Sequence, residues 1–303
     1  MIALTYHFFF GRDSEVSVFF NYIVPPGVKG KRIVFLHDMA YKVYPETLRA
    51  KTKLWLNLNI RRSKKRADKF ITISEFSKRE IVTYLHINPD DIEVVYAGVN
   101  FNVYHPDYAV RKIENVKQTY GINRDYFLYL GTLEPRKNIV GLVKSYNKMK
   151  KSFLKTASGY PQLVLAGKKG WLYKEIYELV DELQLKEDIL FTGYITEEES
   201  ALLMNGAIAF VFPSFYEGFG LPPLEAMACG TPVISSNAAS MPEVVGDAGL
   251  LVNPKSEDEL YDAMLALLQD KELAANLGKK GIQRAKKFTW ENASQQLLEI
   301  IES

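Results

Sequence analysis

Apolar residues in this chain gather into short runs instead of following one period throughout. Runs of four to seven residues stand at 16–20, 32–37, 69–74, 92–96, 126–131, 162–166, 189–192, 207–213, 231–235 and 249–252. Several are apolar from end to end, the pattern of parallel strands covered on both faces; a sheet with one wet face would alternate. Between the runs, apolar residues recur every three or four positions at 75–85, 139–151, 172–183, 197–204, 222–229 and 258–270, as in helices that bury one side. Strand and helix patterns in alternation predict an α/β protein with doubly wound parallel sheets.

The alternation breaks once, at a polar and charged stretch over 106–123, and restarts near 125. The break divides the chain into a first Rossmann-like domain at 1–111, with four clear strands, and a second at 112–285, with six. Residues 286–303 read as a final helix, with Thr289 as N-cap and Trp290, Ala293, Leu297, Ile300 and Ile301 along one face. The opening MIALTYHFFF has no basic n-region or cleavage site and is too short to span a bilayer, so it is read as a buried strand. Even so, the first domain is small for its type and is read as shortened at its N-terminal side.

Composition bears mainly on partners. The 303 residues, 47% hydrophobic and 24% charged, can bury real cores and do not read as disordered. One cysteine, Cys229, leaves no internal disulfide and no Cys-rich zinc site, as expected of a cytoplasmic protein. The net charge of +2 gives no global reason for a polyanionic partner. Locally the balance differs: Arg49, Lys51, Lys53, Arg61, Arg62, Lys64, Lys65 and Arg66 lie in one stretch without an acid, together with Leu54, Trp55, Leu56, Leu58 and Ile60. Two readings stay open there, an interfacial segment meeting an anionic membrane and a packed helix with a solvated basic face. Nucleic acid is not expected, because no nucleic-acid-binding motif accompanies the patch.

The densest chemistry lies in FPSFYEGFGLPPLEAMACGTPVISSN, residues 212–237. A strand ends at Pro213, a glycine loop turns, Pro222 and Pro223 open a helix, and Gly230 follows its end. Glu217 then sits in the loop and Glu225 in the first turns of the helix. Gly218 and Gly220 allow close backbone approach to a ligand, and a helix N-terminus offers N–H groups to an anion. A carboxylate accepts two hydrogen bonds at once, which suits the vicinal hydroxyls of a ribose or hexose. A second strand-to-helix turn, YFLYLGTLEPRKNIVGLVKSY, carries Arg136 and Lys137, a fork and a point charge suited to a diphosphate, with Asn138 as a cap for the next helix.

These segments resemble the retaining glycosyltransferases of GT-B architecture, in particular family 4 of the glycosyltransferases. The run EGFGLPPLEAMACGTPVISSNAASMPEVVGDAGLLV is similar to the family almost throughout and contains its Glu-x7-Glu signature at Glu217 and Glu225. VFLHDMAYKVYPE resembles the family's first-domain HD motif, with His37 at a strand end. The resemblance implies two Rossmann-like domains facing a cleft and transfer of a hexose from a nucleotide-diphosphate sugar to a saccharide or lipid-linked saccharide. It assigns Glu217 and His37 to the transferred sugar, and Arg136, Lys137, Gly218, Phe219, Gly220 and Leu221 to the diphosphate. Glu225 falls to the ribose, with Tyr194 and Ile195 of FTGYITEEE as candidate base contacts. Asp38 is read as orienting the loop or His37, Ser74 of TISEFSKREI as a helix cap, and Lys168 and Lys169 as solvated. FTWENAS resembles the helix that crosses back to the first domain in GT-B enzymes.

No cofactor and no metal are expected, as Asp-x-Asp, the motif by which the other large glycosyltransferase fold holds a divalent cation, is absent. The HD and Glu-x7-Glu contexts look most like bacterial mannosyl- and rhamnosyltransferases of surface polysaccharide assembly, so GDP-mannose is the first choice of donor. A cytoplasmic location follows, peripheral on the inner face of the plasma membrane if the basic stretch is interfacial. An alternative of a different class is a non-catalytic nucleotide-sugar-binding or partner subunit, because the strand and glycine-rich loop with which family members begin are missing here. A nicotinamide-dependent oxidoreductase is disfavoured, since no G-x-G-x-x-G follows the first strand of either half.

Overall fold

The structure, a computed structural model, describes residues 14–47, 50–153 and 159–303. The strand expected within the first ten residues and the position of Arg49 lie outside the described residues. The chain packs into two units. The first contains the residues up to Gly98, Glu217–Phe219 and Trp290–Ser303, and the second contains Val99–Tyr216 and Gly220–Thr289.

The first unit holds β1 (Val16–Phe19), β2 (Lys31–Phe35), the short α1 (Ala40–Val43), α2 (Ala50–Lys64), β3 (Lys69–Thr72), α3 (Glu75–Leu85) and β4 (Ile92–Val94). The strands form a parallel sheet in the order β1-β2-β3-β4. β2 ends two residues earlier than its apolar run, which leaves His37 and Asp38 in the turn beyond it. Successive side chains of a strand point to opposite faces. Val34 and Leu36 accordingly join a core with Ile60 of α2 and Ile81 and Leu85 of α3, while Ile33 and Phe35 face the other side with Ile71 and Val95. α2 buries Ile60 and Ser63 but leaves Leu54 at 63%, Trp55 at 52% and Leu58 at 46% exposure. Its apolar residues are therefore divided between core and solvent.

The second unit runs through α4 (Val110–Thr119), β5 (Tyr126–Leu130), α5 (Ile139–Phe153), β6 (Gln162–Ala166), α6 (Lys174–Glu182), β7 (Ile189–Gly193) and α7 (Glu197–Gly206). It continues with β8 (Ala209–Phe212), α8 (Leu221–Ala228), β9 (Val233–Ser236), α9 (Met241–Val245), β10 (Leu250–Val252), α10 (Glu257–Gln269) and α11 (Lys271–Ala285). The helix expected from Leu172 starts at Lys174, because Leu172 has a left-handed φ of 58° that cannot continue into a helix. Thr196 and Glu199 form a reciprocal capping box at the start of α7. The polar stretch at 106–123 belongs to this unit by packing, and α4 lies on α7.

All six strands are parallel, in the order β10-β9-β8-β5-β6-β7. The chain winds outward from β5 in one direction and from β8 in the other, so the order reverses between these two neighbours. In open α/β sheets the crevice at such a reversal is where ligands bind, because the loops leaving the two strand ends diverge. β5, β6 and β8 are almost wholly buried, and the buried Tyr126 hydroxyl is satisfied by the Leu203 carbonyl at 2.7 Å.

After α11 the chain returns to the first unit as α12 (Trp290–Glu302). Its apolar face, with Ala293, Leu297, Ile300 and Ile301, covers Ile33, Phe35, Ile71 and Val95 of the first sheet. Lys31 Nζ adds a hydrogen bond of 2.7 Å to the Ile300 carbonyl at the helix end. The first sheet thus has helices on both faces, as its continuously apolar strands require.

Candidate functional site

On the β6 side of the β5 end, next to the reversal, backbone comes unusually close to backbone. Gly131 and Gly167 follow β5 and β6 with φ of 158° and 139°, and a Cβ on Gly167 would stand 2.0 Å from the Gly131 carbonyl oxygen. Side chains at these strand ends would block the approach, which leaves a flat floor from which the β5 loop rises. That loop makes a 3-10 turn at Pro135–Lys137 and then Asn138, held at a left-handed φ of 58°. The Asn138 amide donates to the carbonyls of Pro213, at 3.2 Å, and Pro254, at 2.6 Å. Its side chain therefore ties the turn to the segment leaving β8, a role beyond the helix cap read from the sequence.

Arg136 completes the tie. Its Nη1 donates to the Tyr216 carbonyl at 2.6 Å, its Nη2 meets Glu134 Oε1 at 2.7 Å, and its own carbonyl accepts the Phe215 N–H at 2.9 Å. Both members of the Arg136–Glu134 pair are largely buried, so the pair is less screened than one on the surface. Lys137 Nζ lies 5.2 Å from the centre of the Phe212 ring. The β5 and β8 loops are in this way one body, with two cations in the β5 turn. Glu134 and Tyr216 are partners the sequence reading missed; the signal for Glu134 was its place two residues before Arg136 in the same turn.

α8 opens in an unusual way. Gly220 is its N-cap and Pro222 and Pro223 fall in its first turn, where a helix normally has unpaired N–H groups. Proline has none, and the Leu224 N–H is spent on the Gly220 carbonyl at 3.2 Å. The anion-binding capacity of this terminus is thereby confined to the N–H groups of the loop and of Leu221, fewer than a helix start usually offers. Gly220 also packs tightly: a Cβ there would lie 2.7 Å from Met241 Cε.

Glu225, one turn into α8, has an environment no local pattern revealed. Burial first, and then the Glu197 carboxylate, push its pKa up to about 7 against a hydrogen bond from Tyr104 that lowers it. The neighbouring Cys229 thiol is pushed up to about 12 by burial and by the Glu225 charge. The Tyr104 hydroxyl is raised as well, by burial first and Glu225 second. Glu225 is thus a half-buried carboxylate with a second carboxylate nearby and a tyrosine hydroxyl, not a cation, to offset it. A ligand with two hydroxyl donors would supply what the protein withholds.

Glu217–Phe219 pack with the first unit. The Gly218 carbonyl accepts hydrogen bonds from the hydroxyls of Ser74, at 2.6 Å, and Ser77, at 3.0 Å, while Ser74 Oγ also caps α3 through the Ser77 N–H at 2.9 Å. A Cβ on Gly218 would lie 2.7 Å from Asp38 Cβ and 2.9 Å from the His37 carbonyl. The space given up at Gly218 and Gly220 is therefore taken by protein, not kept for a ligand. Phe219 stacks near Tyr96, with ring centres 6.0 Å apart, and Glu217 is half-buried.

The turn after β2 is held from two sides. Asp38 Oδ1 accepts from the Ala40 N–H at 3.0 Å and from the Tyr22 hydroxyl at 3.3 Å, so Asp38 shapes the loop. His37 Nε2 lies 2.7 Å from the Phe20 carbonyl. A carbonyl can only accept, so Nε2 carries a proton, which leaves Nδ1 as the ring nitrogen free to accept whenever the ring is neutral. Gly218 thus stands next to the backbone of His37 and Asp38, and Glu217 immediately precedes it in the same packed segment.

The two base candidates part company. Tyr194 is 67% exposed, with Lys168 Nζ 4.5 Å from its ring centre, whereas Ile195 is 6% exposed and its side chain belongs to the core. Tyr194 offers a ring face, and Ile195 is reduced to its backbone. Lys169 lies 5.2 and 4.9 Å from the rings of Tyr173 and Tyr177. Both lysines are exposed, as read from the sequence, and each stands over a tyrosine ring. Among the described residues, no group of His, Cys, Asp or Glu is arranged to hold a metal ion, and no helix is long and apolar enough to cross a membrane.

Comparison with known proteins gives two overlapping family matches. Residues 85–284 match the model for glycosyl transferases group 1, and residues 19–103 that for glycosyltransferase family 4. The chain is 35% identical over 282 residues to O-antigen chain mannosyltransferase B of Escherichia coli, covering 92% of this chain and 71% of the relative. It is 31% identical over 235 residues to the serotype-specific mannosyltransferase WbdA of Escherichia coli, covering 77% of this chain but 28% of that longer protein. Among solved structures it superposes on a sucrose-phosphate synthase from Thermosynechococcus elongatus with a TM-score of 0.80, at 24% identity over 98% of this chain and 75% of that one. HepE from Anabaena, solved with UDP and glucose, gives a TM-score of 0.76 at 22% identity, over 90% and 72% of the two chains. At these identities the structural likeness establishes the GT-B fold.

The Glu225 environment makes a prediction for the free protein. A carboxyl whose folded pKa lies above its unfolded value costs nothing below about pH 4.5, where both states are protonated, and destabilises the fold increasingly up to about pH 7. A tenfold change in a proton-binding constant is worth about 1.4 kcal/mol. Glu225→Gln should therefore raise stability in chemical unfolding by on the order of 2–3 kcal/mol at pH 8 and change it little at pH 4.5. An equal effect at both pH values would refute the assignment.

Proposed function

Because the chain belongs to the group 1 glycosyltransferases, we propose that it transfers a hexose from a nucleotide-diphosphate sugar to a saccharide or lipid-linked saccharide, with retention at the anomeric carbon. The observation that carries this reading is the union of the β5 and β8 loops at the strand-order reversal, where Arg136 is bonded to the Tyr216 carbonyl and Lys137 lies over the Phe212 ring. The names of the relatives, O-antigen and serotype-specific mannosyltransferases, support surface polysaccharide synthesis as the process and GDP-mannose as the first donor to test.

In this reading the bond from the anomeric carbon to the diphosphate oxygen breaks, and the acceptor oxygen bonds to the same face of that carbon. The acceptor proton passes to the departing diphosphate. Charge grows on the leaving oxygen, and a pre-arranged cation there stabilises the transition state more than the ground state. Arg136 and Lys137 supply that charge without a metal. Arg136 has five N–H donors in a rigid fork, and its bonds to Tyr216 and Glu134 fix the plane of the fork before substrate arrives. Glu225 accepts from the ribose hydroxyls, Tyr194 stacks on the base, and Glu217 holds hydroxyls of the transferred sugar. His37 accepts from a sugar or acceptor hydroxyl through Nδ1.

The exposed Leu54, Trp55 and Leu58 of α2 stand among Lys51, Arg61 and Arg62. This combination supports a peripheral contact with the anionic inner face of the plasma membrane. Trp55→Ser should then weaken sedimentation with phosphatidylglycerol-containing vesicles several-fold and leave turnover of a water-soluble acceptor unchanged; equal sedimentation of both proteins would rule this contact out.

Catalysis is tested by turnover on a panel of GDP-, UDP-, dTDP- and ADP-sugars, with slow hydrolysis as readout when no acceptor is known. The wild type should turn over at least one donor in the presence of EDTA. Glu217→Ala should lose on the order of a hundredfold or more, the scale of removing one transition-state contact, while still binding nucleotide. A wild-type chain that binds nucleotide but neither transfers nor hydrolyses any donor would instead be a non-catalytic binding subunit.

A further inference from the structure

Within the first unit, α1, α2 and the end of α3 enclose a cavity of about 350 Å³ that has no part in the donor chemistry above. Its lining includes Lys42, Arg61, Lys64 and Lys65, with Asn57 and Tyr84 between them, and contains no acidic residue. The acids nearest in sequence, Asp38 and Asp68, do not line it; Asp38 is bonded to the Ala40 N–H and Asp68 is paired with Arg32.

The cations there are not equivalent. Lys64 Nζ donates to the carbonyls of Leu85, at 2.5 Å, and His86, at 3.0 Å, where the end of α3 presents unpaired acceptors. Lys42 Nζ donates to Asn57 Oδ1, and the Asn57 amide is in turn oriented by its bond to the Lys53 carbonyl at 2.9 Å. These two lysines form a fixed wall. Arg61, in the last turn of α2, and Lys65, in the turn just past its end, are exposed. They have no hydrogen-bond or ion-pair partner among the described residues. The Lys42 ammonium feels this arrangement, its pKa lowered by burial first and then by the charges of Arg61 and Lys53.

We infer that this cavity is a binding site for a phosphoryl group, separate from the donor site. Like charges gathered without a counter-ion repel one another, and a bound dianion removes that cost while accepting the guanidinium fork of Arg61 and the Lys65 ammonium. The Tyr84 hydroxyl, on a side chain 41% exposed, is a further donor at the rim. Leu54, Leu58 and Arg61 follow at i, i+4 and i+7, a single stripe along α2, with Lys65 in the turn just past its end. An apolar surface therefore leads directly to the pocket, and the geometry suits a phosphate ester whose other end is hydrocarbon as well as a free phosphate. The inference deepens the acceptor side of the proposed function, and its failure leaves the donor reading as it stands.

The test uses the full chain and inorganic diphosphate as probe, titrated by calorimetry at about 0.1 M salt, where charges beyond about 10 Å are screened. Wild-type protein should bind diphosphate at a site that survives in Arg136→Ala. Arg61→Ala with Lys65→Ala should weaken that binding tenfold or more, with an unchanged melting temperature and unchanged GDP binding. Arg61→Lys should recover part of the affinity, since charge is kept and the fork is lost. Lys279→Ala, on the basic face of α11, should do nothing. A second arm, with phosphatidic acid in phosphatidylcholine vesicles, identifies the source. A loss of binding to these vesicles in the double variant that exceeds its loss with phosphatidylglycerol vesicles, which report the α2 membrane contact, means a lipid phosphate, and no such excess means a free one. Diphosphate binding that is equal in wild type and double variant, or that disappears entirely in Arg136→Ala, overturns the inference.

Discussion

Between β5 and β8 the strand order reverses, and the two loops leaving these strands have no covalent reason to stay together. The Arg136 guanidinium joins them. It reaches the Tyr216 carbonyl with one nitrogen and Glu134 with another, while its own carbonyl takes the Phe215 N–H. A charge-assisted hydrogen bond in a partly buried place is among the stronger single contacts a protein makes. Without it the cations of the β5 turn and the N–H groups before α8 would be fixed independently, and a ligand would have to order them itself. Pro222 and Pro223 are tolerated at the start of α8 for a local reason, since the first turn of a helix has no intrahelical partner for its N–H groups.

The site is also a place where the fold accepts destabilisation. Glu225 is kept from water with Glu197 nearby, at a pKa of about 7, so the free protein holds a carboxylate it would be more stable without. Such groups persist where a ligand completes them. The basic cavity beside α2 follows the same logic with the opposite sign, since Lys42, Arg61 and Lys65 gather without an acid among the lining. One part of the chain lacks a donor and the other an acceptor, and each shortage points to a class of partner.

Most of the architecture could be read from periodicity, because β5, β6 and β8 are buried on both faces and so appear as unbroken apolar runs. The ends of elements were less legible. The apolar run through Leu36 hid the close of β2 at Phe35, because Leu36 is buried for packing with α2 and α3 and not as part of the ladder. Leu172 looked helical but takes a left-handed backbone. The motif residues were visible one by one, and their partners were not. Glu197 and Tyr104 come from two separate segments to meet Glu225, and Tyr22 meets Asp38 across sixteen residues. Spacing along the chain carries no record of such meetings. The glycines were read as room for a ligand, while the packing of Gly218 on the His37–Asp38 turn and of Gly220 on Met241 shows that room already filled. α2 is the remaining case: its composition left membrane contact and core packing both open, and its residues divide between the two surfaces.

The central claim is that the joined β5 and β8 loops form the seat of a nucleotide diphosphate, and a crystal structure of the chain with GDP tests it most directly. The diphosphate should lie against Arg136, Lys137 and the Gly220–Leu221 backbone, with the ribose hydroxyls on Glu225 and the Arg136–Tyr216 bond intact. A diphosphate bound away from the β5–β8 reversal, with those residues unchanged from the free protein, would contradict it.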